Sequence, residues 1–440
     1  MSKQLKINFV VNPGGPLTGS IQVPGDKSIS HRSLLLGALA NGITRITGYL
    51  DSEDIAATRQ VLQALGVHFR QQGQQLEVHG AGLHGFKAPA QALYFGNSGT
   101  SVRLMAGILA GQSFDSELTG DASLSKRPMR RVADPLMQMN ADIRTTAAGT
   151  LPMQIHGGRK LAGIDYHLPV ASAQLKSALL LAGLYAGGRT CIHEDAVTRD
   201  HTERMLRYFG CPLEMEGGTV CLTSQELRAC DVEVPADISS AAFFIVAACI
   251  TPGSELVLQG TGINPTRNAV LDILKRMGAE IQVHNPREVS GEPVADIHVR
   301  YGELHGIEIP ESLVPVAIDE LPVIMIAAAC ARGVTVLTGA AELRVKESDR
   351  IAAMADGLHR LGIKVETMAD GMRVEGGRFR AGEVDSHTDH RIAMAFSVAG
   401  LVADGTVSIN DCINVNTSFP GFTGLMRSVG AGITEVGDDA

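Results

Sequence analysis

Apolar runs of about ten residues recur along the chain, each opened by a short polar segment and rich in Ala, Leu and Gly. GDKSISHRSLLLGALANG, GNSGTSVRLMAGILAG, ASAQLKSALLLAGL, ADISSAAFFIVAAC, IDELPVIMIAAACARG and HTDHRIAMAFSVAG read as helices whose N-termini carry Ser, Asn or Asp as caps. A Gly-containing break follows each run, and then a short alternating strand. These strands are TRITG in the first copy, then ELTG, RTCIHE, SELVLQG, VTVLTG and TVSIND. A second, amphipathic helix closes each copy, and several of these end alike, at YFG, RMG and RLG. The copies lie roughly 65–80 residues apart, longer than ordinary solenoid repeats, so they read as α/β modules with extra strands.

Six modules divide naturally as three plus three, which predicts two similar domains. Residues 24–235 carry the first three, and residues 236–440 together with 1–23 carry the last three. The first strand, LKINFVV, precedes the first module and can pair within the C-terminal half, so the chain is expected to cross near Pro24 and near Pro235.

The chain has 440 residues, 45% of them apolar and 19% charged, which excludes a disordered or fibrous protein and allows two or three domains. Aromatics reach only 4% with no Trp, against 49 Gly, so small residues must fill much of the core. A net charge of -9 argues against nucleic acid or an anionic membrane as the main partner. The seven cysteines (Cys191, Cys211, Cys221, Cys230, Cys249, Cys330, Cys412) are scattered, odd in number and without a CxxC pair, which predicts reduced thiols. The segment MSKQLKINFVVNPGG has neither a long apolar stretch nor a small-residue cleavage site, and the apolar run Leu321–Ala331 is too short to span a bilayer. A soluble, cytoplasmic protein is expected.

A helix N-terminus attracts anions through its dipole and unpaired N–H groups. Four of the six openings also carry cations: Lys27 and Arg32, Arg103, Lys176, and Arg391. If the modules converge at these ends, they form a site for a multiply charged anion; taken singly, each opening is only a capped helix with a solvated charge. Other apparent motifs fall away. Gly80-Ala81-Gly82-Leu83-His84-Gly85 matches GxGxxG, but FKAPAQ rather than a helix follows. Pro24-Gly25-Asp26-Lys27-Ser28 lacks the spacing of a P-loop. His387 and His390 flank Asp389 without a third ligand at recognisable spacing, so capping is the expected role there and no metal site is assigned.

Three segments are more specific. PGDKSISHR (Pro24–Arg32) sets Lys, Ser and Arg at a helix start, GDASLSKRPMRRV (Gly120–Val132) sets Lys126 and Arg127 before Pro128, and ELRVKESDR (Glu342–Arg350) packs five charges into seven residues after a strand and a Gly break. Together with GNSGTSVR, ASAQLKSALL and TDHRIAMA, in order from Pro24 to Pro420, they resemble the enolpyruvyl transferases, and among these the 5-enolpyruvylshikimate-3-phosphate synthase family. SLSKRPM, TRDHTERML and INVNTSFPGF are similar to the second of that family's two sequence classes.

The resemblance implies an α/β fold of two similar domains, each of three βαβαββ units (an inside-out α/β barrel), with the active site in the cleft between them. It implies transfer of the enolpyruvyl group of phosphoenolpyruvate to the 5-hydroxyl of shikimate 3-phosphate, with release of phosphate and no metal or cofactor. By this resemblance Lys27, Ser28, Arg32, Ser172, Ala173, Gln174, Arg199, Asp319 and Lys346 bind shikimate 3-phosphate. Lys27, Gly99, Arg127, Gln174, Arg350 and Arg391 bind phosphoenolpyruvate. Asp319 is implied as general base at the reacting hydroxyl, Glu347 as proton donor to the vinyl carbon, and Lys27 as an aid to the leaving phosphate. The resemblance also implies a monomer, and inhibition by glyphosate in the phosphoenolpyruvate site. Ser98 and Ser101 stand where the first sequence class has Ala, Leu104 where it has Pro, and Thr417 where it has Lys. The missing Lys removes a cation from the phosphoenolpyruvate side, which predicts weaker binding of that substrate or greater dependence on monovalent cations. Two rivals differ in testable ways. The related transferases acting on UDP-N-acetylglucosamine carry a reactive loop Cys, whereas none of the seven Cys here sits in such a setting. A non-catalytic repeat scaffold would not need acid, base and Arg groups at these positions.

Overall fold

A computed structural model describes residues 6–437, so Leu5 of the expected first strand and the MSKQ segment before it lie outside the described residues. The described residues form twelve α-helices: α1 (Lys27–Leu39), α2 (Glu53–Ala64), α3 (Gly99–Ala110), α4 (Arg130–Gln138), α5 (Ala173–Gly183), α6 (His201–Tyr208), α7 (Ile238–Ile250), α8 (Ala269–Arg276), α9 (Leu321–Cys330), α10 (Arg350–Arg360), α11 (His390–Gly400) and α12 (Phe422–Ser428). The odd-numbered helices are the six apolar runs of the sequence, and the even-numbered ones close each repeat.

Side chains start five of the six opening helices. Asp26, Ser98, Ser172, Asp237 and Asp389 each accept a hydrogen bond from a first-turn backbone N–H of α1, α3, α5, α7 and α11. The exception among the opening helices is α9, where Pro322 stands in the first turn and has no N–H to satisfy. The closing helices share one ending. Gly66, Asn140, Gly210, Gly278, Gly362 and Gly430 all take positive φ, and the next residue's N–H reaches back to the carbonyl five positions earlier, as in Val67 to Leu62 and Ala431 to Met426. This is the Schellman ending, which needs a left-handed residue; Asn140 is the one non-Gly residue among the six.

The strands of the described residues build six sheets. In the second repeat, Ser116–Thr119 pairs parallel with Leu93–Tyr94 and antiparallel with Met153–His156, which pairs in turn with Asp142–Arg144. The third repeat has the same plan, with Arg189–His193 between Asp165–His167 and Thr219–Thr223. One parallel crossover plus an antiparallel hairpin, wrapped around two helices, is the βαβαββ unit, so the α/β expectation holds.

The chain divides into two compact units, one of residues 25–234 with Glu288–Glu292, the other of 1–24, 235–287 and 293–440. Each completes its sheets with strands from distant sequence. In the first unit Leu227–Arg228 and Val232–Glu233 pair parallel with Ala40–Thr47. In the second, Thr18–Ile21 pairs parallel with Glu255–Gly262, and Ile7–Asn12 pairs antiparallel with both Val407–Asn410 and Gly432–Gly437.

Each unit has its own core, and the opening helices occupy it. In the first, α3 packs against α1 and α5; in the second, α7, α9 and α11 pack on one another. Every residue of α7 is buried, as expected for a helix apolar on all sides. Small residues allow the close approach. A Cβ added at Gly107 of α3 would lie 2.1 Å from the carbonyl oxygen of Ala178 in α5, and one at Gly357 of α10 would overlap the Phe396 ring of α11. The low aromatic content follows from this packing.

The expectation of reduced thiols throughout is corrected. Cys191 and Cys221 face each other on paired antiparallel strands and are joined in a disulfide. Their adjacency depends on strand register, which spacing in sequence does not reveal. No helix of the described residues is long and apolar enough to cross a membrane.

Candidate active site

In the unit of residues 25–234, the N-termini of α1, α3 and α5 are tied together by the side chains they carry. Lys27, the first residue of α1, pairs its ammonium with the Asp54 carboxylate. Arg32, one turn further, is buried: its Nε donates to Thr202 Oγ1 (2.6 Å), Nη2 to Ser177 Oγ (2.9 Å) and Nη1 to the Ser28 carbonyl (2.9 Å). Next to it, His31 lies with Nδ1 2.8 Å from Thr58 Oγ1 and Nε2 3.4 Å from Ser98 Oγ, the cap of α3. Burial, with Lys27 and Arg32 nearby, holds the His31 pKa well below its ordinary value, so the ring is neutral.

Gly99 begins α3 between two guanidinium groups. A Cβ there would lie 3.0 Å from Nη1 of both Arg103 and Arg127. Arg127 Nη2 donates to Asn97 Oδ1 (2.6 Å), and Arg103 Nη1 donates to Gln174 Oε1 (2.7 Å). Gln174 in turn donates from Nε2 to Thr100 Oγ1 (3.0 Å), while Ser172 caps α5 through Leu175 N. Ala173 and Gln174 are therefore the first two residues of α5 and stand beside the start of α3. Arg199 is half-buried in the loop before α6.

Lys176 departs from the sequence reading, which grouped it with the anion-facing cations. It is 1% exposed and held by Glu203 (2.7 Å) and Glu194 (3.0 Å). A buried ammonium must be neutralised locally, and these carboxylates do so. Burial raises the Glu203 pKa, with Lys176 opposing the rise.

The second unit gathers the remaining candidates around Asp319, just before α9. Lys346 Nζ lies 3.7 Å from Asp319 Oδ1, Arg350 Nη1 3.5 Å from the same oxygen, and Arg391 Nη2 3.9 Å from Oδ2. Arg391 Nη1 also donates to the Asp319 carbonyl at 2.8 Å. Glu347 accepts from Arg350 Nη2 at 2.8 Å. Arg350 is fully buried and braced by Asp389, whose Oδ2 accepts from Nε and Oδ1 from Nη2. Burial works against the charges of both, but their mutual attraction prevails: the Asp389 carboxyl is held below its usual range and the Arg350 guanidinium above its own. Desolvation lowers the Lys346 pKa, with Asp319 acting in the opposite direction. Arg267, about 50 residues before Asp319, donates from Nη2 to Ser239 Oγ (2.6 Å) and lies 3.9 Å from Glu320, which joins the starts of α7 and α9 and fixes the segment carrying Asp319.

Two carboxylates, an ammonium and two guanidinium groups in so small a volume can hold anions and move protons. Asp54, Asn97, Arg267 and Asp389 were not singled out as site residues from sequence. Asn97 and Asp389 do lie inside the GNSGT and TDHR segments, where a polar residue just before a helix start was the available signal. Asp389 also caps α11 through Arg391 N (2.9 Å), as the sequence suggested for this position. Three of the departures from the first sequence class also have structural partners. Ser98 caps α3, Ser101 accepts from Thr58 Oγ1 (2.8 Å), and Thr417 donates to the Asn414 carbonyl (2.7 Å).

The enolpyruvyl transferase NikO from Streptomyces tendae superposes with a TM-score of 0.81 over 99% of this chain and 100% of that one; at 19% identity it establishes the fold. The EPSP synthase (3-phosphoshikimate 1-carboxyvinyltransferase) family model matches residues 11–426. The 3-phosphoshikimate 1-carboxyvinyltransferases of Nitrosococcus oceani and Methylococcus capsulatus are 60% and 59% identical over 427 residues, covering 97% of this chain and 96% and 98% of theirs. The EPSP synthase structure from Acinetobacter baumannii is 53% identical, with a TM-score of 0.88 over 98% of this chain and 100% of that one. The chain belongs to the EPSP synthase family.

Proposed function

We propose that the chain transfers the enolpyruvyl group of phosphoenolpyruvate to the 5-hydroxyl of shikimate 3-phosphate and releases inorganic phosphate. The observation that carries the proposal is the setting of Asp319 and Glu347: a carboxylate ringed by Lys346, Arg350 and Arg391, next to a second carboxylate held by Arg350. The substrates bring two phosphates and two carboxylates, and guanidinium forks suit such oxyanions.

Asp319 takes the proton from the attacking hydroxyl, and Glu347 delivers one to the vinyl carbon, which gives a tetrahedral adduct. Elimination removes a proton from the new methyl group and expels phosphate, with Lys27 stabilising the charge that develops on the leaving group. In the other unit Ser28, Arg32, Ser172, Ala173, Gln174 and Arg199 hold shikimate 3-phosphate, while Gly99, Arg127 and Gln174, with Arg350 and Arg391, hold phosphoenolpyruvate. Glyphosate occupies the phosphoenolpyruvate position, and the protein works as a cytoplasmic monomer.

Phosphate release from phosphoenolpyruvate tests the reading, with shikimate 3-phosphate and UDP-N-acetylglucosamine offered as alternative acceptors. Release is expected with the first alone. Turnover with the nucleotide sugar, or with neither, overturns the proposal.

A further inference from the structure

The third repeat holds a cluster that the transfer reaction does not use. Asp165 and His167 are two residues apart on one strand, so their side chains lie on the same face of the sheet. His193 stands directly opposite His167 on the neighbouring parallel strand. The two imidazole rings stack with centroids 4.3 Å apart, and His193 Nε2 lies 2.7 Å from Asp165 Oδ1. One donor atom from each of the three falls within 4.8 Å of the others.

From this arrangement we propose that Asp165, His167 and His193 form a binding site for one divalent transition-metal ion of the zinc class. Ligands bound to such an ion at about 2.0–2.2 Å lie roughly 3.3 Å from one another in a tetrahedron. The donor atoms, within 4.8 Å of one another, must close by somewhat over an ångström to reach that spacing, and the two stacked rings must turn toward a common point. A second observation concerns the other nitrogen of His193: Nδ1 lies 2.8 Å from Thr219 Oγ1 on the adjacent strand. An outer hydrogen bond of this kind orients a metal-binding imidazole and leaves Nε2 for the ion. Two imidazoles and one carboxylate favour zinc, nickel or copper over magnesium or calcium. Asp165 and His167 are exposed, so water can fill the fourth position.

The ion would join the strand Asp165–His167 to Arg189–His193. Asp165–His167 is the outermost strand of its sheet, and the chain leaving it runs to Ser172 at the start of α5. Metal binding therefore steadies that segment.

Titration calorimetry of the full-length, chelator-treated protein with zinc tests the proposal, using His167→Gln, His193→Gln and Asp165→Asn variants. One ion per chain is expected at micromolar zinc, with affinity falling at least about tenfold in each His variant. Magnesium at the same concentrations should give no heat. Zinc should also raise the melting temperature of the wild type and not that of the double His variant, which bound ligand predicts through mass action. Circular dichroism checks that each variant is folded, and the exposed Asp165→Asn change gives an independent arm. No binding at about millimolar zinc, or affinity unchanged in both His variants, overturns the site.

Discussion

Arg350 and Asp389 meet through two hydrogen bonds, Nε to Oδ2 at 2.8 Å and Nη2 to Oδ1 at 3.2 Å, with both side chains sealed from solvent. The same carboxylate caps α11 and accepts from Ser348 Oγ at 3.0 Å. One buried anion thus fixes the fork that holds Glu347 and approaches Asp319. Removing one partner of a buried pair costs about 3–5 kcal/mol, because the other charge is left uncompensated. Asp389→Asn is expected to lower unfolding stability by that amount in a urea titration while retaining the cap. A midpoint equal to wild type would show that Arg350 finds its compensation elsewhere.

Glu347→Gln should reduce turnover by about 10²–10⁴-fold while leaving half-saturation concentrations nearly unchanged. The amide keeps the shape and can still accept from Arg350, but has no proton to give. Arg127→Ala should act differently, mainly raising the half-saturation concentration for phosphoenolpyruvate. Steady-state kinetics on both variants separate the roles, and near-normal turnover in the Gln variant removes Glu347 from the proton path.

Gly99→Ala places a methyl group 3.0 Å from the Nη1 atoms of Arg103 and Arg127. Both arginines must give by a few tenths of an ångström, which disturbs Arg127, proposed to hold phosphoenolpyruvate, and Arg103, which holds Gln174. Overpacking by one methyl costs about 1–3 kcal/mol, and about 1.4 kcal/mol is tenfold in affinity. If glyphosate occupies the phosphoenolpyruvate position as proposed, it should weaken at least about tenfold, and phosphoenolpyruvate less. Inhibition constants for wild type and variant at fixed salt decide the matter; a wild type insensitive to millimolar glyphosate would place the determinant elsewhere.

His31 links stability to pH. Its folded pKa lies well below the ordinary value, so in the window from about 6.5 downwards the unfolded chain binds a proton that the folded one refuses. Stability therefore falls as pH drops through that window, by at most about 1.4 kcal/mol per pH unit from this group, and is indifferent to it at higher pH. His31→Gln should flatten the dependence between pH 6.5 and the folded pKa, as read from urea midpoints across that range. An unchanged slope would assign the acid sensitivity to other groups.

Lys346 gives an alkaline counterpart. Desolvation lowers its pKa, so it loses charge at a lower pH than an ordinary lysine, about 10.4. The half-saturation concentration for shikimate 3-phosphate should rise on the alkaline side before that point. Lys346→Arg should move the rise to higher pH, and identical profiles would sever the link.

The opening helices and their caps were legible because a cap is a local event: Asp26, Ser98, Ser172, Asp237 and Asp389 stand directly before apolar runs. The closing Gly residues were legible for the same reason, since YFG, RMG and RLG report one backbone conformation. The alternating TRITG and RTCIHE segments gave the strands, but not which strands they meet. Everything decided by register was therefore hidden. Cys191 and Cys221 are 30 residues apart and read as unrelated thiols. Asp165 and His167 have the period of a strand, but His193 becomes their neighbour only through the parallel pairing. Lys176 looked like an anion-facing cation because nothing in ASAQLKSALL says which side of α5 faces Glu203. The candidate site was visible in sequence largely through resemblance; the supporting Asp54, Asn97 and Arg267 required side-chain geometry.

The strand Ile7–Asn12 is hydrogen-bonded to residues 407–410 and 432–437, and Thr18–Ile21 to residues 255–258. On a ribosome adding roughly 5–20 residues per second, the first of these strands emerges about 20–80 s before its partners exist. The block of residues 25–234 has no such delay, because Leu227–Glu233 closes its sheet from within. Early in synthesis the chain therefore holds one nearly complete globule behind an apolar strand with both edges open, the kind of edge that recruits other chains. The residues immediately after that strand are Pro13, Gly14, Gly15 and Pro16. Two prolines and two glycines extend no sheet, which keeps the exposed edge short until the last repeat is translated and takes it up.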